Sequence, residues 1–200
     1  MEMTLRERRK QQLRDEILET AVGIVSSRGF SRLSMEELAL QVGISKPTLY
    51  SHFATKDDLL LAASVYKLNE FVTLVESDDG DPPLLRLTTA LRGVLQRQIE
   101  ARGMNLRPWP ELMRMMCDAP ESLALLQRIE ASIRQLIALA QQQGAIDPHL
   151  PHDVVEHLFF ALASSMRDPY RMPVSADRQK DVADGIVALF ARAVTPIIDR

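Results

Sequence analysis

The sequence lacks the features of secreted, disulfide-stabilised or membrane-spanning proteins. It contains a single cysteine in 200 residues, so neither an intramolecular disulfide nor a cysteine-rich zinc site is expected. Its apolar runs, such as Leu59 to Ala63, fall far short of the roughly 20 residues that a transmembrane helix requires. The N-terminal residues do not contain the apolar segment of a signal peptide. These absences predict a protein of the reducing cytoplasm.

Aromatic residues are also scarce, and neither charge is in large excess. Phe, Trp and Tyr make up 5% of the chain, so leucine, alanine, isoleucine, valine and 9 methionines must fill most of the core. The net charge is -3, so the overall charge does not by itself indicate a nucleic-acid partner. Because 46% of the residues are hydrophobic and 26% are charged, the composition is that of a globular protein rather than a disordered one.

Glycine and proline are few, and the prolines are clustered. The sequence has 8 glycines and 11 prolines, and a proline inside a helix removes a backbone hydrogen bond and clashes with the preceding turn. The clusters therefore predict helix boundaries, with helices over residues 84–101, 120–143, 153–167 and 176–194. No segment sustains the polar–apolar alternation of a strand. The predicted fold class is all-α.

The first sixty residues contain the signals of two short helices that follow a longer one. Ser34 precedes Glu37 by three positions, a spacing that caps a helix N-terminus. Gly43 allows a tight turn, and Ser45 can cap the next helix, with Pro47 tolerated in its first turn. Thr55, three positions before Asp58, can cap the helix that follows. Two short helices joined by a glycine-containing turn, after a supporting helix, form a helix-turn-helix arrangement.

The second short helix is expected to have one buried and one exposed face. Leu49 and Phe53 are four residues apart and should point inward together with Ile44. This orientation turns six mostly polar side chains outward, namely Lys46, Pro47, Thr48, Tyr50, Ser51 and His52. No packing requirement explains an ammonium group, hydroxyls and an imidazole on one face. Such a face suits a helix that enters the major groove of DNA and contacts base edges and phosphates.

These residues resemble the DNA-binding region of TetR-type (tetracycline-repressor-like) transcriptional regulators. The resemblance covers about a quarter of the chain, from Arg14 to Leu60. It runs through Arg14-x-x-Ile17-x-x-x-Ala21, Gly29-Phe30, Ser34-Met35-x-x-Leu38-Ala39 and the continuous stretch Gly43-Ile44-Ser45-Lys46-Pro47-Thr48-Leu49-Tyr50-Ser51-His52-Phe53. It implies a helix-turn-helix head, which we expect over residues 1–60, and a helical ligand-binding and dimerisation domain over residues 61–200.

The resemblance also implies a role for individual positions in this sequence. The residues expected to approach base edges are Lys46, Pro47 and Thr48. The residues expected to contact phosphates, in part with the backbone N–H groups of a helix start, are Ser34, Tyr50, His52 and Lys56. Arg6, Arg8, Arg9 and Lys10 resemble a flexible basic arm that reaches an adjacent groove, and a solvated, frayed N-terminal tail is the alternative for them.

The remainder of the chain matches the family only in length and helical pattern, and it contains two sets of apolar residues. A methionine-rich set suits an adaptable ligand pocket and consists of Tyr66, Leu91, Leu95, Met104, Trp109, Met113, Met116 and Phe160. A second set is expected to pair with its symmetry mate in a four-helix dimer interface and consists of Val155, Leu158, Phe159, Leu162, Ile186, Leu189 and Phe190. Burial within the chain's own core is the alternative for both sets.

The sequence therefore predicts a cytoplasmic, homodimeric transcriptional repressor that binds a palindromic DNA operator and responds to a small apolar or amphipathic effector. An activator is the alternative within the same class of regulators. The helix that begins at Lys56 joins the two predicted domains and is the expected lever between them. No combination of residues suggests catalysis or a cofactor, so neither is expected. His152 and His157 could suggest a metal site, but their spacing of five residues is poor for one helical face, so no metal is expected either. The alternative is a helical small-molecule-binding or enzymatic protein with an incidental helix-turn-helix-like motif, which would not need the outward row of Lys46, Tyr50 and His52.

Overall fold

A computed structural model of the chain describes residues 4–28, 32–77, 80–100, 109–167 and 175–196. In these ranges the structure consists of α-helices, short 3-10 turns and connecting loops, without strands. The predicted all-α fold is therefore confirmed. The helices in chain order are α1 (Leu5–Arg28), α2 (Met35–Val42), α3 (Lys46–His52), α4 (Lys56–Glu76), α5 (Pro83–Glu100), α6 (Trp109–Asp118), α7 (Pro120–Gln142), α8 (His152–Ser164) and α9 (Gln179–Val194).

The proline clusters predict most of the later helix boundaries to within a few residues. Both α8 and α9 are shorter than expected because 3-10 turns occupy Ser165–Arg167 and Ala176–Arg178. Helix α6 was not predicted, since its prolines were interpreted as a boundary. Pro110 is the second residue of α6, where a helix tolerates proline because the first N–H groups have no intrahelical acceptor.

The basic N-terminal residues are helical, so the prediction of a flexible arm is wrong for Arg6, Arg8, Arg9 and Lys10. The backbone N–H of Thr4 donates to Glu7 Oε2 at 2.7 Å, and the N–H of Glu7 donates to Thr4 Oγ1 at 3.3 Å. These reciprocal bonds satisfy donors that would otherwise be unpaired at the helix start. The bond from the Thr4 N–H, together with a second bond from the Thr4 hydroxyl to the same carboxylate oxygen, lowers the pKa of the Glu7 carboxyl group. The spacing of Thr4 and Glu7 was the signal that the sequence interpretation missed.

The chain divides into two compact units. The first unit comprises Met1–Asn69 and Ala101–Leu123. Its core is built by the apolar faces of α1 to α4, and its fully buried large side chains are Ile17, Leu38, Leu49 and Leu59. These residues follow the helical spacing of an amphipathic face, and together they hold the two short helices against α1 and α4.

The second unit comprises Glu70–Glu100 and Ala124–Arg200. In it, α5 packs against α8 and α9, and α8 packs against α9. Phe159 of α8 and Phe190 of α9 meet edge to face, with ring centroids 5.7 Å apart and an interplanar angle of 76°. Helix α4 contributes residues to both units, and the predicted domain boundary at residue 60 stays a prediction. None of the described helices is both long and apolar enough to cross a membrane.

Candidate nucleic-acid interface

The start of α2 is capped as the sequence predicts. Ser34 has extended backbone angles, and its Oγ accepts hydrogen bonds from the backbone N–H groups of Glu36 at 3.2 Å and Glu37 at 3.5 Å. The carboxylate of Glu37 forms an ion pair with Arg28 at the end of α1. Because the Ser34 oxygen acts as an acceptor in these bonds, the hydroxyl group can still donate its own hydrogen to an incoming anion.

The turn between α2 and α3 depends on a glycine and a serine. Gly43 ends α2 in the left-handed region, with φ 77° and ψ 29°, which costs a residue with a side chain considerably more than glycine. Ser45 then caps α3 by accepting a hydrogen bond from the backbone N–H of Thr48 at 3.2 Å. The hydroxyl oxygens of Ser45 and Thr48 also lie 2.7 Å apart. The turn thus sets the direction in which α3 leaves α2.

Helix α3 is anchored by two buried side chains and has a polar outer face. Leu49 is completely buried and Phe53 is 2% exposed. On the opposite face, Lys46 and Tyr50 are exposed, and Tyr50 retains 48% of its accessible surface. Pro47 and Ser51 are also exposed, whereas Thr48 and His52 are partly buried. A helix of seven residues therefore offers hydroxyl, ammonium and imidazole groups to solvent over about two turns.

An ion pair links the outer face of α3 to α2. The Nζ atom of Lys46 bonds to Oε1 of Glu36, and both side chains remain more than half exposed, at 55% and 69%. The hydrogen bond and the positive charge of Lys46 lower the pKa of the Glu36 carboxyl group. An exposed pair of this kind contributes little to stability. Lys46 can therefore exchange the carboxylate for another acceptor at small cost.

Arg14 connects α1 to the C-terminal end of α3. Its Nη1 donates to the backbone carbonyl of His52 at 3.3 Å, and its guanidinium carbon lies 4.4 Å from the centroid of the Phe53 ring. The end of a helix carries unpaired carbonyl groups and attracts a cation. Partial burial lowers the pKa of His52, and the positive charges of Lys10 and Arg14 lower it further, so the imidazole is mostly neutral at pH 7.

Beside these residues lies an open, basic cleft of about 430 Å³, lined by Glu7, Lys10, Gln11, Arg14, Ser51 and His52. Helix α1 thus provides cations next to the outer face of α3, although its basic residues do not form the expected arm. The contribution of Lys10 and Arg14 was not predicted from the sequence. Their spacing of four residues, which places both on one side of α1, was the available signal.

The start of α4 is also a capped N-terminus. The backbone N–H of Thr55 donates to Asp58 Oδ2, and the N–H of Asp58 donates to Thr55 Oγ1, both at 3.0 Å. This is the reciprocal arrangement that the sequence predicts. Lys56 is the first residue of α4 and is partly exposed. Its ammonium group and the positive end of the helix dipole therefore lie in the same turn.

The predicted pocket residues belong to different parts of the chain. Tyr66 and Met116 are in the first unit, where Tyr66 donates a hydrogen bond to Glu19 at 2.8 Å and Met116 is buried. In the second unit, Leu91 and Leu95 are completely buried, and Phe160 is partly exposed. Met104 lies outside the described residues, as do the side chains of Trp109 and Met113.

The predicted interface residues fall into two groups. Val155, Phe159 and Phe190 are at most 1% exposed, because they form the core between α8, α9 and α5 within the chain itself. These three side chains therefore do not reach the surface of the second unit. The remaining members can be reached from solvent to different extents, with Leu158, Leu162 and Ile186 partly buried and Leu189 59% exposed.

The head region matches a known family. Residues 17–63 match the family described as bacterial regulatory proteins, tetR family. The chain is 31% identical over 98 residues to the HTH-type transcriptional regulator YerO of Bacillus subtilis strain 168, a match that covers 47% of this chain and 31% of YerO. It is 25% identical over 158 residues to the HTH-type transcriptional regulator TcmR of Streptomyces glaucescens, covering 76% of this chain and 70% of TcmR. The match thus spans about a third of the first relative's length and more than two thirds of the second's.

Over most of its length the chain also has the fold of solved proteins. The TetR transcriptional regulator SCO0520 from Streptomyces coelicolor superposes with a TM-score of 0.64 and 21% sequence identity, and the alignment covers 92% of this chain and 99% of that protein. At this identity the similarity establishes the fold alone. It extends the comparison from the head to the later helices, where local sequence motifs are weak.

Proposed function

We propose that the chain, whose residues 17–63 match the tetR family of bacterial regulatory proteins, is a transcriptional repressor of that family that binds DNA as a homodimer and releases it on binding an effector. In this proposal the protein acts in the cytoplasm and its operator is palindromic. Two symmetry-related heads place their recognition helices about 34 Å apart, which matches half-sites one DNA turn apart. The exposed residues of α3 contact bases and phosphates, and those at the starts of α2 and α4 contact phosphates only.

The DNA-binding proposal rests on one observation, the polar outer face of α3. Leu49 and Phe53 anchor α3 in the core of the first unit, while Lys46 and Tyr50 remain exposed. Among the described residues, Lys46 pairs with the exposed carboxylate of Glu36, which a guanine or phosphate oxygen can replace. Ser34 and Lys56 flank this face in sequence, and each lies at a helix start, where the positive end of the helix dipole favours an anion such as a phosphate.

The test is the affinity of single variants for a duplex selected by the wild-type protein from a random-sequence pool. Lys46→Ala and Tyr50→Ala should each weaken binding in a gel-shift titration by about 5- to 100-fold, the loss of a contact worth about 1–3 kcal/mol. Lys180→Ala is the matched control, because Lys180 is exposed on α9 in the other unit. Failure to select any duplex, or equal binding by all variants, would favour a helical protein with an incidental motif.

The homodimer is assembled by the apolar residues of α8 and α9 that their own chain leaves uncovered. Val182, Ile186, Leu189 and Ala193 recur at helical spacing on α9 and are all at least partly exposed. Val154 of α8 is 52% exposed. A row of apolar side chains on one face of a surface helix is typical of a helix that packs against a partner. This face differs from the buried face that contains Phe190.

Leu189→Glu should dissociate the dimer, because it introduces a carboxylate into the apolar centre of the interface. We expect the dimer dissociation constant from sedimentation equilibrium to rise by at least about tenfold. Leu85→Glu is the control, since Leu85 is 47% exposed on α5 of the same unit and lies outside the proposed interface. Equal dissociation constants for the two variants would place the interface elsewhere.

The effector occupies the apolar interior of the second unit in this proposal. Leu91, Leu95 and Gln98 lie on one face of α5, and all three are buried. The amide nitrogen of Gln98 donates to the carbonyl of Ala163, while its Oε1 has no hydrogen-bond partner in the described part of the chain. An apolar wall with one unsatisfied acceptor suits an apolar or amphipathic ligand that carries a donor. Helix α4 acts as the lever, and release requires only that the effector prefers one of two states.

A further inference from the structure

A second cleft, of about 330 Å³, opens entirely within the first unit. We call it the α1–α4 cleft. Its walls come from one face of α1, one face of α4 and the first turn of α7. The apolar part of the lining is Leu18, Leu61, Ala62, Val65 and Ala119. None of its lining residues belongs to the second unit, and Tyr66 is the one predicted pocket residue that lines it.

The polar part of the lining is acidic. Asp15, Asp58 and Glu121 contribute three carboxylates, and Arg14 is the basic residue among the lining residues. The guanidinium group of Arg14 is engaged with the His52 carbonyl and the Phe53 ring. Glu121 lies in the first turn of α7, where the positive end of the helix dipole stabilises its negative charge. The cleft therefore combines an apolar surface with a field that favours a cation.

A buried hydroxyl group in this lining lacks a partner. Ser122 is completely buried, and among the described residues its Oγ has no hydrogen-bond partner. An unsatisfied buried polar group is costly, so a buried hydroxyl group without a partner is a place where a ligand or an ordered water can bind. A ligand with an N–H donor would supply that partner from the side of the cleft that Ser122 lines.

We infer that the α1–α4 cleft is an effector site for a small organic ammonium ion with an apolar body. The apolar body contacts Leu61 and Val65, the positive charge faces the carboxylates of Asp15 and Glu121, and an N–H group donates to Ser122 Oγ. Arg14 lines the cleft and also holds the end of α3. Occupancy of the cleft therefore changes the position of α3. The effect of the ligand on DNA binding rests on the proposed function, whereas binding of the ligand to the cleft does not depend on it.

The experiment is equilibrium dialysis of the full chain against phenethylammonium, with 3-phenylpropionate as a probe of similar apolar body and opposite charge. We expect phenethylammonium to bind at least about tenfold more tightly than 3-phenylpropionate. Ser122→Ala should weaken phenethylammonium binding by about tenfold, the loss of a charge-assisted hydrogen bond. Glu121→Gln should weaken it by about two- to fivefold, whereas Asp81→Asn, the same loss of charge at an exposed residue outside the cleft, should have no effect.

The stability of Ser122→Ala separates a ligand partner from a structural one. Removing a hydroxyl group that has no partner should leave the thermal midpoint unchanged or slightly higher. A clear loss of stability, no binding of phenethylammonium, equal binding of both probes, or wild-type affinity in both Ser122→Ala and Glu121→Gln would each overturn the site.

The link to DNA binding is tested separately by gel shift. Phenethylammonium should change the affinity of the wild type for a selected duplex and leave that of Ser122→Ala unchanged. Ligand binding without any effect on DNA affinity would overturn the regulatory role but leave the site. Failure of the ligand-free protein to bind DNA would instead contradict the proposed function.

Discussion

Leu49→Ala is expected to lower the free energy of unfolding by about 2–5 kcal/mol and to abolish DNA binding at physiological temperature. Leu49 is completely buried beneath the exposed face of α3, and truncation leaves a cavity that a seven-residue helix cannot close by itself. Most of the stability of so short a helix comes from its packing rather than from its own hydrogen bonds. The measurement is urea-induced unfolding followed by far-UV circular dichroism.

Leu40→Ala is the matched control for this variant. Leu40 lies in the neighbouring helix α2 and is 80% exposed, so the same chemical change there should shift stability by no more than about 0.5 kcal/mol. If both variants unfold at the same urea concentration, Leu49 does not support α3, and the structural basis of the proposed DNA interface is lost.

Phe190→Ala should have a comparable effect in the second unit, about 3–5 kcal/mol. The Phe190 side chain is completely buried and packs edge to face on Phe159, an arrangement that contributes beyond the buried area alone. Helix α9 packs against both α5 and α8, so a cavity at this position weakens two helix contacts at once. The expected loss appears as a lower urea midpoint in the same circular dichroism experiment.

Leu85→Ala provides the comparison within the same unit, because Leu85 is 47% exposed on α5. Its midpoint should match that of the wild type within about 0.5 kcal/mol. A Phe190→Ala variant as stable as Leu85→Ala would mean that the side chain is not in the core but at the predicted dimer interface. The two variants thus decide between the alternatives that the sequence leaves open for this residue.

The head could be predicted in detail because its signals are local. The caps at Ser34, Ser45 and Thr55 are bonds between residues two or three positions apart, and the spacing of Leu49 and Phe53 requires a common face. The helical start of α1 rests on equally local bonds between Thr4 and Glu7, so the helical conformation of the basic N-terminal residues could also have been predicted.

Contacts between distant residues could not be predicted in the same way. Lys46 pairs with Glu36, ten positions earlier, and Arg14 bonds to the backbone of His52, thirty-eight positions later. Which polar groups meet depends on how α1, α2 and α3 pack, and no local rule specifies that packing. The same holds for Ser122, whose burial without a partner depends on the elements that pack around it.

The amino-acid sequence by itself determined the helical class, the helix-turn-helix and the outward direction of Lys46 and Tyr50, since these follow from bonds and periodicity within one or two turns. The tertiary structure alone decided which apolar residues of α8 and α9 are inside. Phe190 is buried and its neighbour Leu189 is exposed, although both are large and apolar. Periodicity identifies the apolar faces of a helix, but only the helices packed around it determine which face they cover and which remains for a partner.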